Sequence, residues 1–233
     1  YNSVFLIENG AVNERRYDKL TLTPFGEVMP YISNWEWLER QLLALGARGM
    51  SFDLEPGDED FVFEVENGSG VPFRIATPIC FEITYAETCR RLAFDGGERM
   101  ADVIINLTND GWFGGWDAGR ELHLDSARWR AVELGTSVVR AANTGISTHI
   151  DRAGRETGRL PANEPGVLVV DVAKGAGVPS LARIGFLIPW GVTIASLALL
   201  VLVRFQKPGR GTNSQDEVGP NADTDSLTDT DAT

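Results

Sequence analysis

A buried strand, a helix and a second buried strand follow one another in the middle of the chain, and this order most constrains the fold. The run "ADVIINLTN" (101–109) is typical of a buried strand, residues 119–134 have a helical pattern, and "TSVVRAANTG" (136–145) is again strand-like. Parallel strands need such a crossover, and the sheet they form must be covered. The order therefore predicts a layered α/β domain, which we place over residues 1–180.

Two hairpins precede this unit, and further elements surround it. Residues 2–20 predict a hairpin that turns at Glu8-Asn9-Gly10, and residues 60–79 predict a second one that turns over 67–70. We also expect helices over 33–46 and 81–94, and strands in "ISTHIDRAG" (146–154) and "GVLVVDV" (166–172).

The composition changes sharply at "IGFLIPWGVTIASLALLVLV" (184–203), which carries no charge and lies between Arg183 and Arg204. A run of about 20 apolar residues is long enough to cross a bilayer as a helix, and a buried core helix is the alternative. The cations that follow the run favour a cytoplasmic C-terminus and an α/β domain on the outer side. Residues 204–233 predict a polar, acidic, disordered tail.

The charge balance narrows the classes of partner. A formal net charge of -12 makes duplex nucleic acid an unsuitable partner, and the sequence contains no cluster of residues spaced as metal ligands. Tyr1 is followed at once by a strand pattern, without an initiator segment. We therefore expect this chain to be the C-terminal piece of a longer protein, with a processed mature chain as the alternative.

Cys80 lies where an apolar strand ends and a helical pattern begins, within "RIATPICFEITYAETCRR" (74–91). Unpaired N–H groups and the partial positive charge of a helix N-terminus stabilise a thiolate, and the Phe81 N–H could bind an oxyanion. The alternative is a small buried core residue. Cys89 lies inside the predicted helix, about 13 Å further along its axis, so both thiols should be free.

A reactive thiolate needs a partner group. His123, in a helical segment, and His149, in the strand pattern "ISTHI", are both expected to be structural or exposed. Lys19 lies just after the first hairpin, and Glu27 follows it beyond a Pro-Phe-Gly turn. A lysine beside the thiol could stabilise both thiolate and oxyanion, although the pattern around Lys19, taken alone, favours an ordinary solvated lysine.

Four blocks occur in an order that matches a known family: "YDKLTLTPFGE" (17–27), "ICFEI" (79–83), "NLTNDGWFG" (106–114) and "ARWRAVELGTSVVRAANTGIS" (127–147). Together they resemble the periplasmic domain of the bacterial apolipoprotein N-acyltransferases, within the nitrilase or carbon–nitrogen hydrolase superfamily. The resemblance covers about residues 1–175, and that family also ends in a membrane helix.

The resemblance implies a four-layer α-β-β-α sandwich and a Glu–Lys–Cys triad. It assigns the nucleophile to Cys80 and the triad lysine to Lys19, with Glu27 and Glu82 as supporting glutamates. The residue after the nucleophile is typically Tyr, and Phe81 here keeps the N–H but lacks the phenol. The triad glutamate would lie upstream of the chain's first residue.

The resemblance also implies the reaction and its setting. An acyl chain would move from a phospholipid, through a Cys80 thioester, to the N-terminal amine of a diacylglyceryl apolipoprotein, without a cofactor or metal. The enzyme would lie in the bacterial inner membrane with its catalytic domain on the periplasmic side. Trp112 and Phe113, in "NDGWFG", could then form a lid or acyl-chain wall, or simply pin a loop.

Two other functions remain compatible with these residues. A nitrilase-type amidase that hydrolyses small amides would share the triad, although the apolar run and the "NLTNDGWFG" block disfavour it. A non-catalytic membrane-anchored domain is the other alternative, because Phe81 replaces Tyr and the triad glutamate is missing.

Overall fold

The computed structural model describes residues 1–24, 26–28, 54–66 and 68–205, apart from the side chains of Phe186 and Phe205. The chain divides into two units between Pro189 and Trp190. The predicted helix 33–46 lies outside the described residues, and so does nearly all of the predicted tail, from residue 206 onwards.

The first hairpin is confirmed. Strands β1 (Ser3–Glu8) and β2 (Ala11–Asp18) pair antiparallel, with Glu8 opposite Ala11. The two loop residues, Asn9 and Gly10, have φ values of 51° and 80°. This left-handed pair is the turn that matches the twist of two strands, and Asn-Gly tolerates it best.

A six-stranded sheet forms the centre of the larger unit, in the order β10-β9-β8-β7-β4-β3. Its strands are β3 (Phe63–Glu66), β4 (Pro72–Ala76), β7 (Val103–Thr108), β8 (Ser137–Ala142), β9 (Ser147–Ile150) and β10 (Glu156–Leu160). Strands β4, β7 and β8 run parallel, and the outer pairs are antiparallel. This confirms the second hairpin and the crossover unit. A small hairpin, β5 (Phe94–Asp95) and β6 (Glu98–Arg99), is separate.

Helices cover one face of this sheet. Helix α1 (Ala86–Ala93) lies in the crossover from β4 to β7, and α2 (Asp117–Leu134) lies in the crossover from β7 to β8. Ala76, Ile104, Val138 and Ile150 form one row across four strands, and all are buried in the core shared with α1 and α2. The described residues thus supply a sheet and one helical layer.

The predicted helix 81–94 is wrong in its first part. Residues Cys80–Thr84 form a 3-10 helix, and α1 begins only at Ala86, after Tyr85 adopts an extended conformation. Cys80 has a left-handed φ of 51°, so the chain turns sharply instead of entering an α-helix directly. A 3-10 turn follows Cys80, so the thiol does not lie at the N-terminus of an α-helix and lacks the full helix dipole that the sequence predicts.

The predicted strand 166–172 is also wrong, because β9 pairs instead with β10. The turn at 151–154 carries the chain straight back along the free edge of β9. Residues 166–172 instead pack the side chains of Leu168 and Val170 against Gly158 of β10. A β-carbon at Gly158 would meet both side chains. Val167 and Val169 point outward and are 88% and 90% exposed.

The apolar run 184–203 is not one continuous helix. It begins at the end of α3 (Ser180–Ile184), passes through a 3-10 turn (Gly185–Leu187) and continues as α4 (Ile188–Phe205). Pro189 has no N–H to donate to the carbonyl four residues earlier, so it interrupts the helical ladder there. Within the part of the chain that the structure describes, no helix combines the length and apolarity needed to cross a membrane.

Candidate active site

Cys80 lies on a sharp turn at the carboxyl ends of the parallel strands. The chain leaves β4, makes one parallel bridge from Ile79 to Leu107, and then turns at Cys80 with a φ of 51°. Few residues other than glycine adopt this conformation, and strained residues of this kind concentrate at functional sites. The Cys80 side chain is half-buried, so the thiol lies between the core and the surface.

Glu82 is completely buried just behind this turn and ties two distant segments together. One carboxylate oxygen accepts from the backbone N–H groups of Leu20 at 2.7 Å and Thr21 at 2.9 Å. The other accepts from the Ile79 N–H at 2.6 Å and from the Tyr17 hydroxyl at 3.0 Å. Glu82 therefore connects the residue before Cys80 to the segment around Lys19.

Burial raises the pKa of Glu82, although its backbone and Tyr17 donors oppose that shift. The same burial raises the pKa of Cys89 to about 12, and its thiol donates to the Glu82 carbonyl at 3.4 Å. Cys89 is therefore a protonated core residue, whereas Cys80 borders a cavity. Neither thiol is in a disulfide, as the sequence predicted.

Lys19 is almost fully buried and does not point to solvent, with 1% of its surface exposed. Its ammonium donates to the Thr23 hydroxyl at 2.9 Å and to Glu27 at 2.5 Å. Glu27 also accepts from the Thr23 N–H and from the side chain of Asn2. Burial alone would raise the pKa of Glu27, but these donors outweigh it and hold that pKa below its ordinary value.

A cavity of about 410 Å³ opens beside Cys80. Cys80, Thr23, Glu27, Asn109 and Trp112 are among the residues that line it. Two direct partners of the Lys19 ammonium thus share a cavity wall with the thiol. The contact between the Lys19 amine and the Cys80 sulfur itself remains a prediction.

Trp112 and Phe113 face different surroundings. Both lie in the 3-10 helix Asp110–Phe113, and the Asn109 side chain accepts from the Gly111 N–H at its start. Trp112 lines the cavity with 56% of its surface exposed. Phe113 turns inward, with its ring 5.8 Å from that of His123. The structure therefore places Trp112 beside Cys80, and Phe113 beneath the loop.

A buried polar network lies under the turn, and sequence reasoning missed it. Arg140 pairs with Asp110 at 2.7 Å, and both side chains are completely buried. His123 contacts Asp110 at 3.0 Å, and Asn106 accepts from Arg140 at 2.8 Å. His123 is thus buried and polar-bonded. A signal was available, because an arginine inside an otherwise apolar strand requires a buried counter-charge.

These features agree with a known family. The sequence pattern of the family described as Carbon-nitrogen hydrolase matches residues 1–177 of this chain. The chain belongs to the carbon-nitrogen hydrolase family. All the site residues described above lie within residues 1–177, which the family matches.

Curated relatives are similar over most of this chain. "Apolipoprotein N-acyltransferase" of Rhodopseudomonas palustris is 35% identical over 90% of the chain, and a protein of the same name from Bradyrhizobium diazoefficiens is 36% identical over 88%. These alignments cover 36% and 35% of the relatives' own length. The chain therefore spans about one third of the proteins it resembles.

A solved structure shares the fold. A carbon-nitrogen hydrolase from Helicobacter pylori G27 superposes with a TM-score of 0.50 at 15% sequence identity. The match covers 70% of this chain and 54% of that protein. The α/β fold of this family is thus found in the described residues, as the resemblance implied.

The buried Asp110–Arg140 pair predicts a pH-dependent stability. Burial would raise the pKa of Asp110, but His123 and Arg140 outweigh it and lower the pKa from 3.8 to about 2. Because the folded pKa is the lower one, the carboxylate's contribution is complete above about pH 4 and is lost as the pH falls towards 2. Asp110→Asn should cost about 3–5 kcal/mol at pH 7, since it leaves a buried arginine without its counter-ion.

Urea unfolding curves of the complete protein at pH 7 and at pH 3 measure this difference. The gap between wild type and Asp110→Asn should narrow at the lower pH. Asp125→Asn is the matched control, because that exposed carboxylate pairs with Arg128 on the surface and should contribute less than about 1 kcal/mol. An equally small effect of both substitutions would contradict the buried-pair interpretation.

Proposed function

We propose that this chain is the acyl-transferring part of a bacterial apolipoprotein N-acyltransferase. The observation that carries the proposal is the Cys80 turn, whose backbone is strained. The half-buried Cys80 thiol borders a cavity that Glu27 also lines, and the Glu27 carboxylate binds Lys19. The names of the relatives supply the reaction class. The other two layers of a four-layer sandwich are proposed to come from elsewhere in the longer protein.

In the first step the Cys80 thiolate attacks the ester carbonyl of a phospholipid acyl chain. A C–S bond forms, the carbonyl becomes a tetrahedral oxyanion, and the C–O bond to glycerol then breaks. The thiol proton passes to the triad glutamate that the family resemblance places upstream, and from there to the departing glycerol oxygen. The products are an acyl thioester and a lysophospholipid.

Two groups of this chain are suited to bind the oxyanion. The N–H of Phe81 is the first backbone donor after Cys80. In a 3-10 turn this N–H would donate to the Pro78 carbonyl, but that carbonyl accepts from Asn106 at 2.9 Å. The Lys19 ammonium is the second group. Thr23 and Glu27 orient it, and a fixed charge in a buried site stabilises an oxyanion more than a mobile one.

In the second step the free α-amine of a lipidated apolipoprotein attacks the thioester. A C–N bond forms, the C–S bond breaks, and the Cys80 thiolate is regenerated as the amine loses a proton to the same base. Trp112, exposed on the cavity rim, is proposed to contact the acyl chains of both substrates. No step needs a metal or cofactor.

We also propose that the apolar run 184–203 anchors the protein in the bacterial inner membrane, with the catalytic domain on the periplasmic side. In support, the large apolar side chains of α4 are mostly exposed, among them Trp190, Ile194, Leu200 and Leu202, at 62–68%. Two lipid substrates are reached most directly by an enzyme held at the bilayer surface.

The thioester tests the proposed function directly. Incubation of the complete protein with phospholipid should add the mass of one acyl group to the Cys80 peptide, and Cys80→Ser should abolish both adduct and transfer. Cys89→Ser is the matched control and should retain activity within about 2-fold, because Cys89 is a protonated core residue. Release of free fatty acid to water instead of transfer to a lipopeptide would favour a hydrolase.

Membrane attachment is tested separately. Carbonate washing should leave the protein in the membrane fraction, and an alkaline phosphatase fusion at the C-terminus should be inactive because that end is cytoplasmic. Ile194→Arg, in the middle of the run, should weaken retention, since a central arginine costs about 2.5–3.5 kcal/mol on insertion. Extraction of the unmodified protein by carbonate would contradict the anchor.

A further inference from the structure

The Cys80 carbonyl accepts two hydrogen bonds from buried side chains. Asn106 Nδ2 lies 3.2 Å from this oxygen, and His123 Nε2 lies 3.3 Å from it. Both side chains are buried and lie on different elements, β7 and α2. Two donors from separate elements hold one peptide plane more firmly than one donor could, because the plane cannot rotate without losing both.

The surrounding network determines how these donors are oriented. Asn106 Oδ1 accepts from Arg140 at 2.8 Å, which directs the amide nitrogen towards Cys80. A carbonyl oxygen only accepts, so His123 must carry a hydrogen on Nε2. Its Nδ1 lies 3.0 Å from the Asp110 carboxylate and 3.1 Å from the Arg140 guanidinium. Nδ1 therefore has a hydrogen-bond partner whether or not it carries a hydrogen.

The carbonyl of Cys80 and the N–H of Phe81 belong to the same peptide group. Donors on the carbonyl fix the direction of that N–H and, by polarising the amide, strengthen it as a donor. They also oppose relaxation of the left-handed φ at Cys80, since relaxation would turn the carbonyl away from both of them. The network therefore acts on the atom that the proposed mechanism uses to bind the oxyanion.

We propose that His123 and Asn106 are positioning residues for acyl transfer, because they orient and polarise the Cys80–Phe81 peptide. The buried Asp110–Arg140 pair in turn orients His123 and Asn106. This inference rests on the proposed function, and it deepens that function by giving the backbone oxyanion donor a buried support. Neither side chain needs to touch the substrate.

Two reactions of the same thiol separate this role from a merely structural one. Formation of the thioester passes through an oxyanion, whereas alkylation by iodoacetamide does not. In the complete protein, a p-nitrophenyl acyl ester reports the rate of thioester formation by its burst of p-nitrophenolate. Circular dichroism and thermal unfolding establish that each variant is folded before its rates are compared.

His123→Leu should slow the burst by about 10–100-fold, a loss somewhat below that of removing an oxyanion donor outright, and should change alkylation by less than about 3-fold. His123→Gln should recover most of the burst rate, because its amide can place an N–H near the position of Nε2. His149→Leu, a substitution of the other buried histidine, should leave both rates unchanged.

Several results would overturn the inference. A folded His123→Leu with an unchanged burst rate would do so, as would equal slowing of burst and alkylation, or a glutamine variant no faster than leucine. A wild-type burst with the aryl ester but no thioester from phospholipid would overturn the proposed acyl donor and leave the positioning result standing. A wild-type protein that acylates on neither donor would contradict both proposals.

Discussion

The buried carboxylate of Glu82 holds together the two segments that carry Lys19 and Cys80. It joins the N–H groups of Leu20 and Thr21, just after Lys19, to the N–H of Ile79, just before Cys80. Two segments about 60 residues apart therefore meet at one side chain that water does not reach. Hydrogen bonds to a charged acceptor contribute about 1.5–3 kcal/mol each, so this junction is also difficult to replace.

The same junction accounts for the strained turn. A left-handed φ at a residue other than glycine costs about 1–2 kcal/mol, and the bond from Ile79 to Glu82 is comparable in size. Glu82 restrains the turn from one side, while Asn106 and His123 hold the Cys80 carbonyl from the other. The Cys80 thiol therefore lies on a turn that is restrained from two sides, and Glu27, which binds Lys19, lines the adjoining cavity.

Local sequence signals predicted much of this fold. The Asn-Gly turn of the first hairpin, the buried strand 103–108 and the helix that ends at Leu134 each carry a pattern that depends only on neighbouring residues. The prediction of a strand at 166–172 is wrong, because the turn at 151–154 brings β10 against β9 and that pairing does not show in the apolar pattern of either segment.

Local sequence patterns likewise predict only part of the candidate site. The fold-back of Glu27 towards Lys19 follows from its motif and is found in the structure, whereas the role of Cys80 as the nucleophile stays a prediction. The bonds of Glu82 to residues 20 and 21, and the His123–Asp110–Arg140 network, join residues far apart in sequence, and no local periodicity encodes such contacts. The expectation that His123 is structural or exposed agrees with its buried position, but its partners Asp110 and Arg140 lie on other elements and no local pattern names them.

We expect thioester formation to depend on Glu82, because its carboxylate joins the segments that carry Lys19 and Cys80. Glu82→Gln keeps the side-chain volume but replaces an acceptor oxygen with an amide that faces N–H groups. The burst rate of thioester formation in the folded variant should fall by at least about 100-fold, since small displacements of reacting groups have effects of that size. Glu87→Gln, an exposed glutamate on α1, should stay within about 2-fold of wild type. A folded Glu82→Gln protein that acylates at the wild-type rate would show that Glu82 does not assemble the site.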